Sequence, residues 1–274
     1  MKIITLSILI FSALVLWQCN ENNTLESPTE DNISGSGSIR IYLVDSPAEL
    51  DSVIIYVSRV EVHSSGTDTS KGSWTVINDS PRYFDLLSLR NGASAVLGDT
   101  TLPAGQYTQI RLVLEDSNYV KDNAVKHSLT VPSGLQTGIK LIHSFQIESG
   151  KLYELYLDFN VDKSILVTGN GQYKLKPTIN VVPKVISGSI SGQVLPDSVI
   201  SAVFAILNDD TVSTTYTNNM GFFKLMALPE HMYDVHIIPI DPLDKLEYRD
   251  TIITKVNVFA NQDTDIGVVT LEPK

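Results

Sequence analysis

The sequence predicts an all-β protein built as two tandem β-sandwich domains that follow a signal peptide and a disordered tether. Three observations carry that expectation. From Ser38 onward apolar residues recur with a period of two, the spacing of half-buried strands, and no pattern at 3.6-residue spacing lasts long enough for a helix. Gly, Asn, Asp and Pro punctuate these runs at short intervals, at Asn91-Gly92, Pro132-Ser133-Gly134, Asn170-Gly171 and Asn219-Met220-Gly221. The length, 274 residues, suffices for two cores of ordinary size.

The chain opens with Lys2 and a nearly unbroken apolar run, Ile3 to Trp17, which has the length of a signal-peptide core and is too short to span a bilayer as a helix. Cys19 follows at once. It is the only cysteine, so no intramolecular disulfide is available. Residues 19–37 hold four acids (Glu21, Glu26, Glu30, Asp31) and no Lys or Arg among mostly small polar residues; such a segment buries too little to fold, and its charge extends it.

Residues 38–183 are expected to form the first sandwich. In Ser38 to Leu43 the odd positions are aliphatic; in Leu152 to Phe159, Tyr153, Leu155, Leu157 and Phe159 share a face opposite Glu154, Tyr156 and Asp158; Thr108 to Leu114 repeats the alternation. Ser46-Pro47-Ala48-Glu49 has the pattern of a capping box with Pro at the first helical position, and Asp85 to Leu89 reads as a second short turn. A long strand is expected over Lys174 to Val182, ended by Pro183, with residues 184–188 as a flexible linker and 189–274 as the second sandwich. An echo connects the two halves: Leu102-Pro103 and Leu228-Pro229 are each followed, after three residues, by a tyrosine, Tyr107 and Tyr233.

Several of these strings resemble known families. Leu16-Trp17-Gln18-Cys19 resembles a bacterial lipobox, with bulkier residues than usual before the cysteine; the resemblance implies cleavage after residue 18 and acylation of Cys19, the alternatives being an ordinary secretory peptide or an N-terminal anchor. The strings Ile41–Ala48, Val60–His63, Phe84–Leu87, Leu102–Leu112, Leu129–Gly134, Leu157–Phe159 and Gly169–Pro177 resemble, in order, the domain-of-unknown-function 4382 family (DUF4382) of lipoproteins, which implies an exported, immunoglobulin-like β domain without an assigned activity. Gly192, Val194, Ala202, Val203, Thr217-Asn218, Gly221-Phe222-Phe223, Leu228-Pro229, Tyr233 and Val235 are similar to the carboxypeptidase-regulatory-like domains, which implies a prealbumin-like accessory sandwich of seven strands, a fold some of whose members bind carbohydrate.

With 20 Lys+Arg against 31 Asp+Glu and no basic cluster, the chain would repel nucleic acid. Catalytic signatures are missing: no His-Glu-x-x-His pair, no Gly-x-Ser-x-Gly elbow, no phosphate-binding Gly-Lys-Ser/Thr loop, and five scattered histidines. The expectation is therefore a non-enzyme without a cofactor. Asp263 and Asp265 are weak calcium candidates, as are Asn208-Asp209-Asp210 and, at a strand end, Asp158 and Asp162; Asx turns explain such runs more simply. Tyr42, Tyr56, Trp74 and Tyr156, on the polar faces of strands, are the candidate binding residues, as a stacking platform for sugar rings or as cross-strand fillers. The reading that results is an exported protein, anchored by lipid to the outer membrane and facing the periplasm or the medium, acting as a binding or adhesion module for a glycan or an envelope protein. The alternative is an assembly component that docks a partner along an exposed edge strand of the second sandwich.

Overall fold

The computed structural model describes residues 35–46, 50–65, 73–132, 137–240 and 248–274. Cys19, the lipobox, the tether up to residue 34 and the Pro47-Ala48-Glu49 capping pattern lie outside the described residues. The first half contains β1 (Ser36–Ser46), β2 (Ser52–Ser64), β3 (Trp74–Asn78), β4 (Arg82–Asp85), β5 (Ala95–Pro103), β6 (Gly105–Leu114), β7 (Tyr119–Asp122), β8 (Val125–Thr130), β9 (Ile139–Ile147), β10 (Leu152–Asn160), the single helical turn α1 (Val161–Ser164), β11 (Ile165–Val167), β12 (Tyr173–Leu175) and β13 (Ile179–Pro183). The second half contains β14 (Ser187–Leu195), β15 (Ser201–Leu207), β16 (Asp210–Tyr216), β17 (Phe222–Pro229), β18 (His231–Pro239), β19 (Thr251–Val258) and β20 (Asp263–Thr270). Both halves are β-sandwiches, and the protein is all-β as the period-two pattern predicts.

In the first sandwich a four-stranded sheet, β13-β10-β1-β5, faces a nine-stranded one, β11-β12-β8-β7-β2-β6-β9, to which β3 and β4 add along β2. β1 and β10 run parallel with Ile41 opposite Leu155 and Leu43 opposite Leu157, so the aliphatic face of each strand meets the same core and the polar faces line up as Tyr42 with Tyr156 and Val44 with Asp158. The core gathers Ile39, Ile41, Leu43, Leu155, Leu157 and Phe159 with Val53, Ile55, Ile110 and Leu112 from the facing sheet, all fully buried. The second sandwich packs the three strands β17-β14-β20 on the four strands β16-β15-β18-β19 around its own core of Ile190, Val203, Leu225, Tyr233, Val235 and Ile237.

Two expectations need correction. The run Lys174 to Val182 is two strands in two different sheets, because Pro177 offers no N–H to a ladder and the chain is diverted at Ser164, whose carbonyl accepts Lys176 N–H at 2.7 Å and whose hydroxyl accepts Thr178 N–H at 2.8 Å. Residues 184–188 are not a loose joint: Lys184–Ile186 forms a 3-10 turn, β14 starts at Ser187, and Asn261 donates to Val185 O at 3.0 Å. The short turn expected after Asp85 is present as a 3-10 turn, Leu86–Ser88.

The Leu-Pro-x-x-x-Tyr echo has one geometry. Each motif is a corner where the chain leaves one sheet for the other, β5 to β6 and β17 to β18, and each tyrosine hydroxyl donates back to the carbonyl of its proline, Tyr107 to Pro103 at 3.1 Å and Tyr233 to Pro229 at 2.8 Å. The bond satisfies a carbonyl left over by the turn and fixes a large ring in the core.

Candidate functional site

The outer face of the four-stranded sheet is not solvent-facing throughout, because β16 and β17 of the second sandwich lie against it. Val44, Val182 and Ala227 form a small buried cluster there, with Tyr156 and Met226 packed around it. Around this contact lie three depressions walled by both sandwiches.

The first, about 360 Å³, is lined by Tyr156 and Lys184 on one wall and Lys224, Met226, Asn261, Gln262 and Asp263 on the other. Its charges are paired: Lys184 Nζ is 3.1 Å from Glu154 Oε1, and Lys224 Nζ is 3.3 Å from Asp263 Oδ2. Burial alone would raise the Glu154 carboxyl, but the Tyr42 hydroxyl, donating at 2.7 Å, and Lys184 together hold it below the usual carboxylate range. Tyr42 and Tyr156 meet with ring centroids 5.5 Å apart and Lys184 over the Tyr42 ring.

The second, about 370 Å³, is lined by Asp158, Asn160, Lys163, Thr178 and Asn180 from the first sandwich and by Thr211, Val212 and Pro229 from the second. A narrow depression of about 10 Å³ joins Asp158 to Asp45, Arg90 and Lys224. Asp158 is only 6% exposed. It accepts a side-chain hydrogen bond from Asn180 Nδ2 at 3.3 Å, and burial pushes its carboxyl up to about 6.

The four candidate aromatics do not form one platform. Tyr42 and Tyr156 are at the junction, whereas Tyr56 and Trp74 lie on the outer face of the nine-stranded sheet, because β2 and β3 belong to the opposite layer. There Tyr56 stacks on Tyr83 at 4.2 Å, and Trp74 covers the Arg111 guanidinium at 4.0 Å beside His63. Arg111 in turn pairs with Glu61, which Arg59 also contacts at 2.9 Å.

The calcium candidates are otherwise engaged. Asp263 accepts from Ser189 Oγ at 2.5 Å and Ser191 Oγ at 2.8 Å besides pairing with Lys224, so its oxygens already face donors; burial opposes ionisation, but these bonds hold its carboxyl below the usual range. Asp265 is exposed and caps its own turn by accepting Gly267 N–H at 2.9 Å. Asn208 and Asp209 form a left-handed hairpin turn between β15 and β16, with φ of 51° and 67°. Among the described residues no three His, Cys, Asp or Glu side chains converge as a metal site. The sequence did not bring the junction together, because its walls come from residues 156–184 on one side and 211–229 and 261–263 on the other, whose pairing no local pattern encodes.

Among curated proteins no sequence matches this chain. Solved structures similar to it include a type II cohesin-X-dockerin complex from Acetivibrio cellulolyticus, at 16% identity and a TM-score of 0.25 over 31% of this chain and 58% of the matched one. The minor pilin GBS52 of Streptococcus agalactiae is similar at 10% identity and a TM-score of 0.21, covering 86% of this chain and 96% of the pilin. The shaft pilin SpaA of Lactobacillus rhamnosus GG is similar at 7% identity and a TM-score of 0.26, covering 88% and 98%. The chain thus spans about three fifths of the cohesin-complex chain that it matches. Residues 36–177, from the first residue of β1 to beyond the end of β12 and more than half of the chain, match the model of the Domain of unknown function (DUF4382), and the protein belongs to that family.

Proposed function

We propose that the protein is exported, anchored by lipid through Cys19 to the outer membrane, and acts at the cell envelope as a non-catalytic binding module for a carbohydrate held where the two sandwiches meet. The observation that carries this reading is the pair of clefts of about 360 and 370 Å³, each walled by both sandwiches and lined with amides, hydroxyls and charged groups. That size lies within the range of small-molecule sites, and the mixture of polar groups with Tyr156 and Met226 suits a polyhydroxylated ligand with one apolar face. None of the three depressions is lined by a histidine or cysteine, so no Ser-His or Cys-His pair is available in them. The second sandwich, with seven strands as three on four, serves in this reading as a carboxypeptidase-regulatory-like accessory that completes the site.

The alternative, docking along an edge strand of the second sandwich, is disfavoured by β19 and β20, each an edge strand of its sheet. Each carries one residue more than its partner across an irregularity in the ladder, with Lys255 and Gly267 at φ of 62° and 74°. A bulge of this kind twists an edge away from a regular added strand.

Palmitate labelling of wild type against Cys19→Ala, with protease shaving of intact cells, tests the anchor and the side it faces; label retained in the variant overturns the lipid reading. A glycan array probed with the full chain, with Lys224→Ala in the first cleft and with Thr211→Trp in the second tests the site. Glycan binding weakened in either variant supports the junction, and binding that both variants leave unchanged moves the ligand elsewhere.

A further inference from the structure

Asp158 is a costly residue for its position. It stands in the row Val44-Asp158-Asn180 across three strands of the outer sheet face, where the second sandwich covers it. A residue needed only to dock two sandwiches would be apolar, as Val44 and Val182 are, or a neutral amide. Neither nearby cation forms an ion pair with Asp158: Lys224 pairs with Asp263, and Arg90 lies over the Tyr216 ring at 5.4 Å. Lys163, on α1 at the edge of the second cleft, is exposed and makes no ion pair with Asp158. Asp45, the other acid near Asp158, lines only the narrow depression.

The carboxylate therefore borders a polar cleft with a single neutral donor, the Asn180 amide. In the same cleft Asn160, Thr178 and Thr211 offer further donors and acceptors. What completes such a site is a cation with several N–H donors on a hydroxylated body. Deepening the carbohydrate reading, on which it rests, we propose that the second cleft binds an amino sugar bearing a free ammonium group, with that group on Asp158 and the ring hydroxyls on Asn160, Thr178 and Thr211. An ammonium replaces the solvation that Asp158 loses to the second sandwich, whereas a hydroxyl at the same ring position does not.

The test titrates the full chain with methyl glucosaminide and with methyl glucoside, which differ by the amine, and follows binding by NMR. At pH 7.5 the amine compound is expected to bind at least tenfold more tightly. The preference is expected to shrink as pH falls below about 6, where the carboxyl takes up a proton. Asp158→Asn, close in shape, removes the preference, and Thr211→Trp fills the cleft from the opposite wall without supplying a cation to the acid. Equal affinity for the two glycosides, or a preference that persists in Asp158→Asn, overturns the amine assignment and leaves the carbohydrate reading standing. Binding of neither glycoside also overturns it, and the glycan array then decides the broader reading alone.

Discussion

Burying the Asp158 carboxyl costs the folded chain stability. Raising the Asp158 carboxyl from 3.8 to about 6 corresponds to about 3 kcal/mol. The sign follows from proton counts: between these values the folded chain holds a proton that the unfolded chain has released, so stability falls as pH rises through that window. The penalty is complete above about 6 and absent below 3.8. Asp158→Asn is therefore expected to melt at a higher temperature than wild type at pH 7.5, the difference closing by pH 4; equal melting at both pH values would show that the carboxyl is solvated after all. The two corner tyrosines act the other way. Tyr233→Phe leaves the Pro229 carbonyl without its 2.8 Å donor and is expected to cost roughly 1–2 kcal/mol in denaturant unfolding, with Tyr107→Phe, whose bond is 3.1 Å, costing less. Burial pushes the Tyr233 hydroxyl up to about 12, so this bond persists through alkaline conditions that ionise exposed tyrosines.

At the scale of elements the recurring device is the bulge. β5, β9, β16, β17, β19 and β20, edges of their sheets, each carry an extra residue opposite their one ladder partner or opposite an inner strand. β5 is further blunted by Asn78 Nδ2, which donates to Leu97 O at 2.7 Å, and by Arg82, which donates to Val96 O. Deleting Lys255 would restore an unbroken register between β18 and β19 and expose a regular edge bearing Ile252, which is 55% exposed. The deletion variant is expected to form concentration-dependent oligomers in light scattering while wild type does not. These devices were illegible in the sequence, whereas the strands were readable: Ser38–Leu43, Thr108–Leu114 and Leu152–Phe159 fall within β1, β6 and β10. Alternation reports which face is buried, and a bulge shifts its phase by one residue, as at Leu97-Gly98 and Ala227-Leu228, a break that in the sequence looks like the end of a strand. The Lys174–Val182 run failed for a related reason, since apolar residues on both sides of Pro177 look continuous when the change of sheet is invisible.

At the scale of the whole molecule, the candidate site was half legible. Tyr42 and Tyr156 stood out as aromatics on polar strand faces, but what covers those faces is decided by contacts between segments far apart in the chain. The two sandwiches have separate cores and share a small buried cluster of Val44, Val182 and Ala227. An interface of that kind holds two domains together weakly compared with either core. Val182→Glu places a second acid in the contact near Asp158 while sparing both cores, so it is expected to part the sandwiches without unfolding them. Small-angle scattering should then show a larger radius of gyration, calorimetry should resolve two transitions, and binding at either cleft should be lost together, because each is walled by both sandwiches. A single cooperative transition with unchanged dimensions would instead mean that the turn at Lys184–Ile186 and its bond from Asn261 hold the junction closed without the apolar cluster.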